Sequence, residues 1–380
     1  MKKSTALLLL FALPLLAAAA QAQPAPKPRP VAAQAAKPAP AKQAPAKPVP
    51  VKPVAAKTQT VADFSAVKNY PQSVSFPGGV TMTEVAYNTV SGFRPLTLDL
   101  YQQDAKSDPR PVLVFIHGGN WVGGDSRHDS PFGDFPGLLT SIAARGYVVA
   151  SVNYRLAGEA KFPAPVMDVK TAIRFLRSHA SEYNLDGTRF AAWGVSAGGH
   201  LASMIAVTCG VQALEPPASS TGAQPSSCVQ AAIDWCGLID LETIFTDFDK
   251  PLPDTSVEGA LLGCEPALCG PTVAKNASPL TYINANSPPF LIQHGDADTT
   301  VSVKQSQKLH DALKVQGVPA ELVIYPGVVH MLAKPNPSGS GPSVFDPETS
   351  TKAVEKMLSF LDATFPKTSA NPAANGKKTP

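Results

Sequence analysis

Short apolar runs alternate with amphipathic segments of helical period through most of this chain. Strands are predicted from apolar runs at 111–116, 147–152, 190–193, 231–236, 290–293 and 320–325. Helices are predicted at 136–145, 166–179, 303–316 and 349–361, with another that begins at Ala197. Strands alternating with helices predict an α/β fold in which helices cover both faces of a mostly parallel central sheet. Residues 80–101 alternate apolar and polar positions and predict an antiparallel hairpin before that sheet.

The first 60 residues lack this alternation, and we expect them to lie outside the folded domain. Residues 1–22 combine a lysine pair, an apolar run and an Ala-x-Ala ending, which is typical of a secretory signal peptide. Residues 23–60 are rich in proline, alanine and lysine, a composition that cannot bury a core and predicts a disordered linker. We therefore expect an exported protein, periplasmic or extracellular, with one α/β domain over 61–365 and a disordered tail over 366–380.

The distribution of net charge supports the same division between the first 60 residues and the rest of the chain. Of the net charge of +3, residues 1–22 carry +2 and residues 24–57 carry +7, so residues 58–380 carry −6. Nothing in that acidic remainder indicates nucleic-acid binding. The basic linker suggests a weak contact with anionic cell-envelope polymer, and an inert spacer is the alternative.

The five cysteines lie in the second half of the chain, and export would permit disulfides among them. Cys209 with Cys228 and Cys264 with Cys269 would each close a short loop in an irregular segment. Cys236 lies in an apolar run and is expected to be a buried thiol. Their spacing does not resemble a zinc site, so no metal is predicted.

The predicted strand at 190–193 runs into Gly194-Val195-Ser196-Ala197-Gly198 and then into a helix. A serine at a tight strand-to-helix turn has its hydroxyl pushed outward, and the flanking glycines leave the room that such a turn needs. The pattern therefore predicts Ser196 as the nucleophile of a serine hydrolase. The N–H group of Ala197, at the start of the helix, is a predicted donor to an oxyanion.

A glycine-rich loop follows the strand at 111–116. In serine hydrolases with this kind of elbow, such a loop supplies the second half of the oxyanion hole. Here the predicted donors are the N–H groups of Gly119 and Asn120. Trp121 is a candidate for lining the substrate pocket, with packing in the core as the alternative.

The remaining groups are predicted from the chain order serine, acid, histidine. His330 follows the strand at 320–325 and is the predicted base, whereas His310 falls inside a predicted helix. Asp298, after the strand at 290–293, is the predicted acid, and Asp296 is expected to be a structural carboxylate.

Seven short motifs lie between residues 80 and 365. They are Asp99-Leu-Tyr, His117-Gly-Gly-Asn-Trp, Asn153-Tyr-Arg-Leu, Gly194-Val-Ser-Ala-Gly-Gly-His-Leu-Ala, Ser278-Pro-Leu, His294-Gly-Asp-Ala-Asp and Pro326-Gly-Val-Val-His. This set resembles the BD-FAE-like esterases of the α/β-hydrolase fold, near the hormone-sensitive-lipase-like carboxylesterases. The resemblance implies that fold and the triad Ser196, Asp298 and His330. The chain departs from the family pattern at Asn120, where the loop usually has a third glycine.

The hypothesis from the sequence is an exported serine esterase that hydrolyses carboxylic esters through an acyl-enzyme. It requires no metal or organic cofactor. Its expected substrate is a small-molecule or polysaccharide-linked ester. The alternatives are a serine peptidase of the prolyl-oligopeptidase type and a non-catalytic envelope-binding protein.

Overall fold

The computed structural model describes residues 73–103, 108–128, 133–217, 224–249, 255–265, 268–340 and 342–366. All of them belong to the compact unit Val67–Pro380. The predicted signal peptide, linker and tail beyond residue 366 lie outside the described residues.

The described residues of this unit form one nine-stranded sheet. Its strands are β1 (Ser73–Phe76), β2 (Val80–Asn88), β3 (Leu96–Gln103), β4 (Arg110–Ile116), β5 (Val148–Val152), β6 (Leu185–Val195), β7 (Ala231–Trp235), β8 (Phe290–Gly295) and β9 (Ala320–Tyr325). The strand order is β1-β2-β3-β5-β4-β6-β7-β8-β9. The pairs from β1 to β5 are antiparallel, and those from β5 through β4 to β9 are parallel. The predicted hairpin and parallel sheet are therefore confirmed.

Seven α-helices among the described residues connect or flank these strands. They are α1 (Phe135–Ala143), α2 (Ala164–Ser178), α3 (Ala197–Val207), α4 (Val257–Leu262), α5 (Pro271–Asn276), α6 (Val303–Val315) and α7 (Pro347–Thr364). Local sequence explains several boundaries: the Asp134 side chain caps the first turn of α1, and Ser302 caps α6. No helix among the described residues has the length and apolar character needed to cross a membrane.

The core has two layers because successive strand side chains point to opposite faces of the sheet. Val112 and Val114 of β4 pack with residues of α2, α3 and α6 on one face. Leu113 and Phe115 of the same strand pack with residues of α1 and α7 on the other. Each face of the parallel strands is thus covered by helices, as the continuous apolar runs predicted.

Three elements, β1, α4 and α5, were not predicted from the sequence. β1 is a four-residue edge strand that is at most half-buried, so it has no apolar run to reveal it. Each of the two helices spans six residues, which is too short for a helical hydrophobic period to be recognised.

Both expected disulfides are present. Cys209 and Cys228 are joined across a sequence separation of 19, and Cys264 and Cys269 across a separation of 5. Cys236 is a free and buried cysteine, as expected from its place in an apolar run.

Candidate active site

The turn between β6 and α3 holds Ser196 in a strained backbone conformation. Its φ and ψ are 57° and −120°, a region that few non-glycine residues adopt. The turn is tight enough to exclude side chains at its flanking glycines: a Cβ on Gly194 would lie 2.1 Å from the Gly198 carbonyl oxygen. A Cβ on Gly198 would lie 1.9 Å from the carbonyl oxygen of Ile116. The elbow therefore packs directly against the end of β4.

His330 lies in the loop after β9 and reaches the elbow across the sheet edge. Its Nε2 is 2.9 Å from Ser196 Oγ, and its Nδ1 is 2.7 Å from Asp298 Oδ2. An ionised carboxylate only accepts hydrogen bonds, so the ring proton lies on Nδ1 and Nε2 has a free lone pair. This arrangement lets Nε2 accept the hydroxyl proton of Ser196.

Asp298 is held by the turn after β8. Its Oδ1 accepts hydrogen bonds from the backbone N–H groups of Thr300 and Val301, at 2.8 and 2.9 Å. Burial by itself raises the pKa of Asp298, but the hydrogen bonds from the His294 and His330 rings and their electrostatic interaction with the carboxylate outweigh it and hold that pKa well below its usual range. Asp298 is therefore ionised and can stabilise a cationic imidazole.

The other predicted candidates lie elsewhere. The Asp296 carboxylate is exposed and accepts a hydrogen bond from Gly327 N at 2.6 Å, so it braces the neighbouring turn. His310 lies on α6, where its ring contacts the adjacent Asp311.

A second histidine, His294, contacts the acid, and this contact was not predicted from the sequence. Its Nε2 lies 3.2 Å from Asp298 Oδ2 and 3.0 Å from the carbonyl oxygen of Val301. Both neighbours are acceptors, so Nε2 carries the proton, while Nδ1 accepts from the Ser306 hydroxyl at 2.7 Å. His294 is the last-but-one residue of a buried strand, and its position alone gave no signal that its ring turns toward Asp298.

The loop after β4 lies beside the elbow. Gly119 and Asn120 are exposed, and Asn120 has a left-handed φ of 56°. Within the described part of the chain, the N–H groups of Gly119, Asn120 and Ala197 donate to no protein acceptor. Three free donors thus lie on the loop and the first residue of α3, as an oxyanion hole would require.

Trp121 does not form an exposed pocket wall. Its side chain is fully buried, and its indole Nε1 donates to His200 Nδ1 at 3.2 Å. His200 Nε2 donates to the carbonyl oxygen of Ala277 at 2.7 Å. The predicted contact of Trp121 with substrate is therefore corrected to a structural one: its large apolar ring packs in the core and ties the loop to α3.

His117 also supports the loop from below. Its ring stacks on Tyr154 with 4.3 Å between ring centroids, and the Tyr154 hydroxyl donates to the His117 carbonyl oxygen at 3.1 Å. Burial lowers the pKa of His117 to about 4, and it does the same for His200. Both rings are therefore neutral at pH 7.

A cavity of about 340 Å³ opens beside His330. It is bordered by the loop after β8 and by side chains that lie in sequence between Lys334 and Val344, two residues whose backbones pair with each other. Most of its lining side chains are polar, and the full lining is Thr299, Thr300, Val329, His330, Pro335, Asn336, Gly339 and Ser343. The group that enters this cavity would lie on the His330 side of Ser196.

Comparison with known families places the chain among hydrolases. The BD-FAE family model matches residues 98–313, and the dienelactone hydrolase family model matches residues 266–365. Esterase LipC of Mycobacterium tuberculosis is 31% identical over 223 residues, which are 57% of this chain and 52% of that protein. The chain spans about half the length of the curated relatives it matches.

Solved structures extend the similarity over the described fold. A truncated carbohydrate esterase from gut microbiota superposes with a TM-score of 0.61 and 26% identity, covering 76% of this chain and 98% of that one. The propionate-bound esterase Est2 of Thermogutta terrifontis has a TM-score of 0.58 and 29% identity, covering 76% and 94%. The architecture is the α/β-hydrolase fold of these esterases.

Proposed function

The chain belongs to the BD-FAE family, and from this premise we propose that it is a carboxylic ester hydrolase that uses Ser196 as its nucleophile. One observation carries the proposal: Ser196, His330 and Asp298 are linked by hydrogen bonds of 2.9 and 2.7 Å at the edge of the sheet. The esterase names of the relatives favour an ester over a peptide as substrate.

In the proposed acylation step, Ser196 Oγ attacks the ester carbonyl carbon while His330 Nε2 takes its proton. The negative charge that develops on the carbonyl oxygen is stabilised by the N–H groups of Gly119, Asn120 and Ala197. Asp298 stabilises the imidazolium without taking its proton. His330 then protonates the leaving alcohol, and an acyl-enzyme on Ser196 remains.

Deacylation repeats these steps with water as the nucleophile. His330 removes a proton from water, which attacks the acyl carbon, and the same backbone donors hold the second oxyanion. Ser196 leaves with its proton restored, and the carboxylic acid is released.

For the alcohol half of the substrate we propose a polar group such as a sugar. His330 protonates the leaving oxygen, so the cavity beside His330 lies on the alcohol side. Thr299, Thr300, Asn336 and Ser343 border that cavity and offer hydroxyl and amide groups rather than apolar surface. The similarity to a carbohydrate esterase supports the same class of substrate.

Hydrolysis of a series of p-nitrophenyl esters from acetate to palmitate, with methyl ferulate and acetylated xylan, tests this function. We expect Ser196→Ala to lower kcat by a factor on the order of 10³ or more. Matched pairs test the other roles: His330→Gln and Asp298→Asn should lose activity, whereas His310→Gln and Asp296→Asn should retain most of it.

Labelling by a fluorophosphonate, combined with ester and peptide substrates, distinguishes an esterase from a serine peptidase and from a binding protein. Folded protein that reacts at Ser196 and cleaves peptides but no ester would indicate a peptidase. Folded protein that neither reacts with the fluorophosphonate nor hydrolyses any ester would indicate a binding protein and overturn the proposed enzymatic function.

We also propose that the protein is exported. Two disulfides and the signal-like pattern of residues 1–22 support this location. Mass spectrometry of the secreted chain should find Gln23 at its N-terminus, and an uncleaved cytoplasmic chain would contradict export.

If the basic linker contacts the envelope, deletion of 24–57 should weaken binding to isolated envelope, most clearly at low salt, and leave turnover unchanged.

A further inference from the structure

The proposed mechanism leaves one nucleophilic group next to the triad unused, the thiol of Cys236. The other four cysteines are joined in disulfides, so Cys236 is the one free thiol of the chain. It follows β7 in a left-handed conformation, with a φ of 46°, and is fully buried. Its sulfur lies near the backbone N–H groups of Met331 and Ser196. Cys236 therefore lies directly beneath the nucleophile and the loop of the base.

The sulfur is part of a three-residue cluster. Cys236 Sγ, a carboxylate oxygen of Asp298 and a ring nitrogen of His330 all lie within 4.8 Å of one another. Zinc bonds of about 2.3 Å to sulfur and about 2.0–2.1 Å to nitrogen and oxygen place tetrahedral ligands roughly 3.3–3.6 Å apart. Shifts of about 1 Å would bring these three atoms to a common ion.

Charge favours a divalent ion at this cluster. A thiolate and a carboxylate together balance two positive charges, which matters because an uncompensated charge is costly in a buried site. Sulfur with imidazole nitrogen is also the donor set that thiophilic ions prefer over magnesium or calcium. The His330 side chain is 17% exposed and offers a route from solvent.

We propose that Cys236, Asp298 and His330 form an inhibitory site for a thiophilic divalent cation such as Zn²⁺ or Cd²⁺. The inference rests on the proposed function, since it is the activity of Ser196 that the ion would stop. When the ion binds, the thiol releases one proton to solvent and the sulfur–metal bond forms.

Inhibition follows from the chemistry of the imidazole. An ion on Nε2 occupies the lone pair that accepts the Ser196 proton. An ion on Nδ1 displaces the ring proton to Nε2, which then becomes a donor. In both cases the ring stays neutral, and His330 can no longer act as a base toward Ser196.

A cadmium titration of the oxidised, EDTA-treated protein tests the site with two independent readouts. The first is the ultraviolet charge-transfer absorption of a cadmium–thiolate bond, which needs no enzyme activity. The second is hydrolysis of a p-nitrophenyl ester. We expect one Cd²⁺ per chain, the same concentration dependence for absorption and inhibition, and reversal of both by EDTA. Mg²⁺ at the same concentrations should have no effect.

Variants locate the ion. Cys236→Ser and Cys236→Ala should lose the absorption band and need at least tenfold more Cd²⁺ for half-inhibition, each measured against its own uninhibited rate. His330→Gln keeps the thiol but should bind Cd²⁺ at least tenfold more weakly, which separates a cluster from a lone cysteine. Ser196→Ala keeps all three ligands and should retain the band.

Several outcomes would overturn the site. They are a native protein without the band at saturating Cd²⁺, a band without inhibition, inhibition that persists unchanged in the Cys236 variants, and unchanged affinity in His330→Gln. If the protein hydrolyses no ester, the proposed function fails while the absorption titration still decides whether the ion binds. Should a Cys236 variant not fold, His330→Gln and Ser196→Ala supply the comparison.

Discussion

Asp298 shows how a buried carboxylate is kept charged by its neighbours. Two backbone N–H groups hold Oδ1, and the rings of His330 and His294 approach Oδ2 at 2.7 and 3.2 Å. Burial raises the pKa of such a group, so the donors must outweigh the loss of water. Both carboxylate oxygens of Asp298 therefore accept hydrogen bonds, and the surrounding donors orient the carboxylate toward His330.

We predict that His294 positions Asp298 for its role toward His330. His294→Met keeps the bulk but removes the donor, and a hydrogen bond to a charged group contributes about 1.5–3 kcal/mol. We expect kcat to fall by about tenfold to a hundredfold with a smaller change in KM. His294→Gln, which retains an N–H donor, should stay within a few-fold of the native kcat. Equal losses in both variants would mean that His294 acts only through packing.

The elbow is an element whose backbone geometry excludes a side chain at its two flanking glycines, Gly194 and Gly198. The chain enters from β6, turns at Ser196 with a positive φ, and leaves along α3, while Gly198 lies against the carbonyl oxygens of Ile116 and His117. The same contact that requires glycine also holds the nucleophile next to the loop of the proposed oxyanion donors. Stability and position of the nucleophile therefore depend on the same few atoms.

Substitution at the elbow should damage both stability and turnover. In Gly198→Ala the new Cβ would lie 1.9 Å from backbone oxygen, and relief requires movement of the elbow. We expect a loss of about 1–3 kcal/mol in the free energy of unfolding. Displacement of Ser196 should cost roughly a hundredfold in kcat. Urea unfolding and ester kinetics measure these two effects.

Gly187→Ala is the matched control for this prediction. Gly187 lies on β6, the strand that leads into the elbow. A Cβ added at Gly187 would lie 4.0 Å from its nearest neighbour, the Cβ of Ala180, so there is room for it. This variant should resemble the native protein. A Gly198→Ala protein that matched the control in both measurements would contradict the proposed tightness of the turn.

Across the fold, the parallel arrangement gathers residues that are distant in sequence. β4, β6, β7, β8 and β9 are successive parallel neighbours, so the loops after them meet at one edge of the sheet. His330 and Ser196 are 134 positions apart along the chain but only 2.9 Å apart in space. The same edge buries two neutral histidines, His117 and His200, below the site.

These histidines make global stability depend on pH. Each has a folded pKa of about 4 against 6.5 for the free group, so the unfolded chain binds more protons between those values. Their contribution is fully present above pH 6.5 and is lost as the pH falls toward 4. Each histidine contributes at most about 3 kcal/mol to the free energy of unfolding.

We expect the free energy of unfolding to fall by a few kcal/mol between pH 7 and pH 4. Burial raises the pKa values of Asp234 and Glu258, which act in the opposite direction over part of this range and reduce the net loss. Urea unfolding across this range measures how steeply the free energy of unfolding changes with pH. This dependence should be shallower in His200→Gln because one titrating group is gone. Equal slopes in the two proteins would contradict the assignment to His200.

Local patterns in the chain were sufficient for the order of the longer strands and helices, both disulfide pairs and the residues of the elbow. Apolar runs mark buried strands wherever they fold, and the order of serine, acid and histidine follows the strand order of the sheet. Ser196, Asp298 and His330 were predicted in this way, and the structure brings them within hydrogen-bonding distance. Their catalytic roles remain predictions for the kinetic experiments.

Contacts between distant segments had no local signature. The burial of Trp121 against His200, the contact of His294 with Asp298 and the position of Cys236 beneath the triad each depend on how three or more segments pack. An apolar or ionisable residue at a strand end has the same sequence pattern whether its side chain turns into the core or toward a neighbouring loop. Packing of the loops at the sheet edge decides between those directions, and with it which side chains surround the proposed nucleophile.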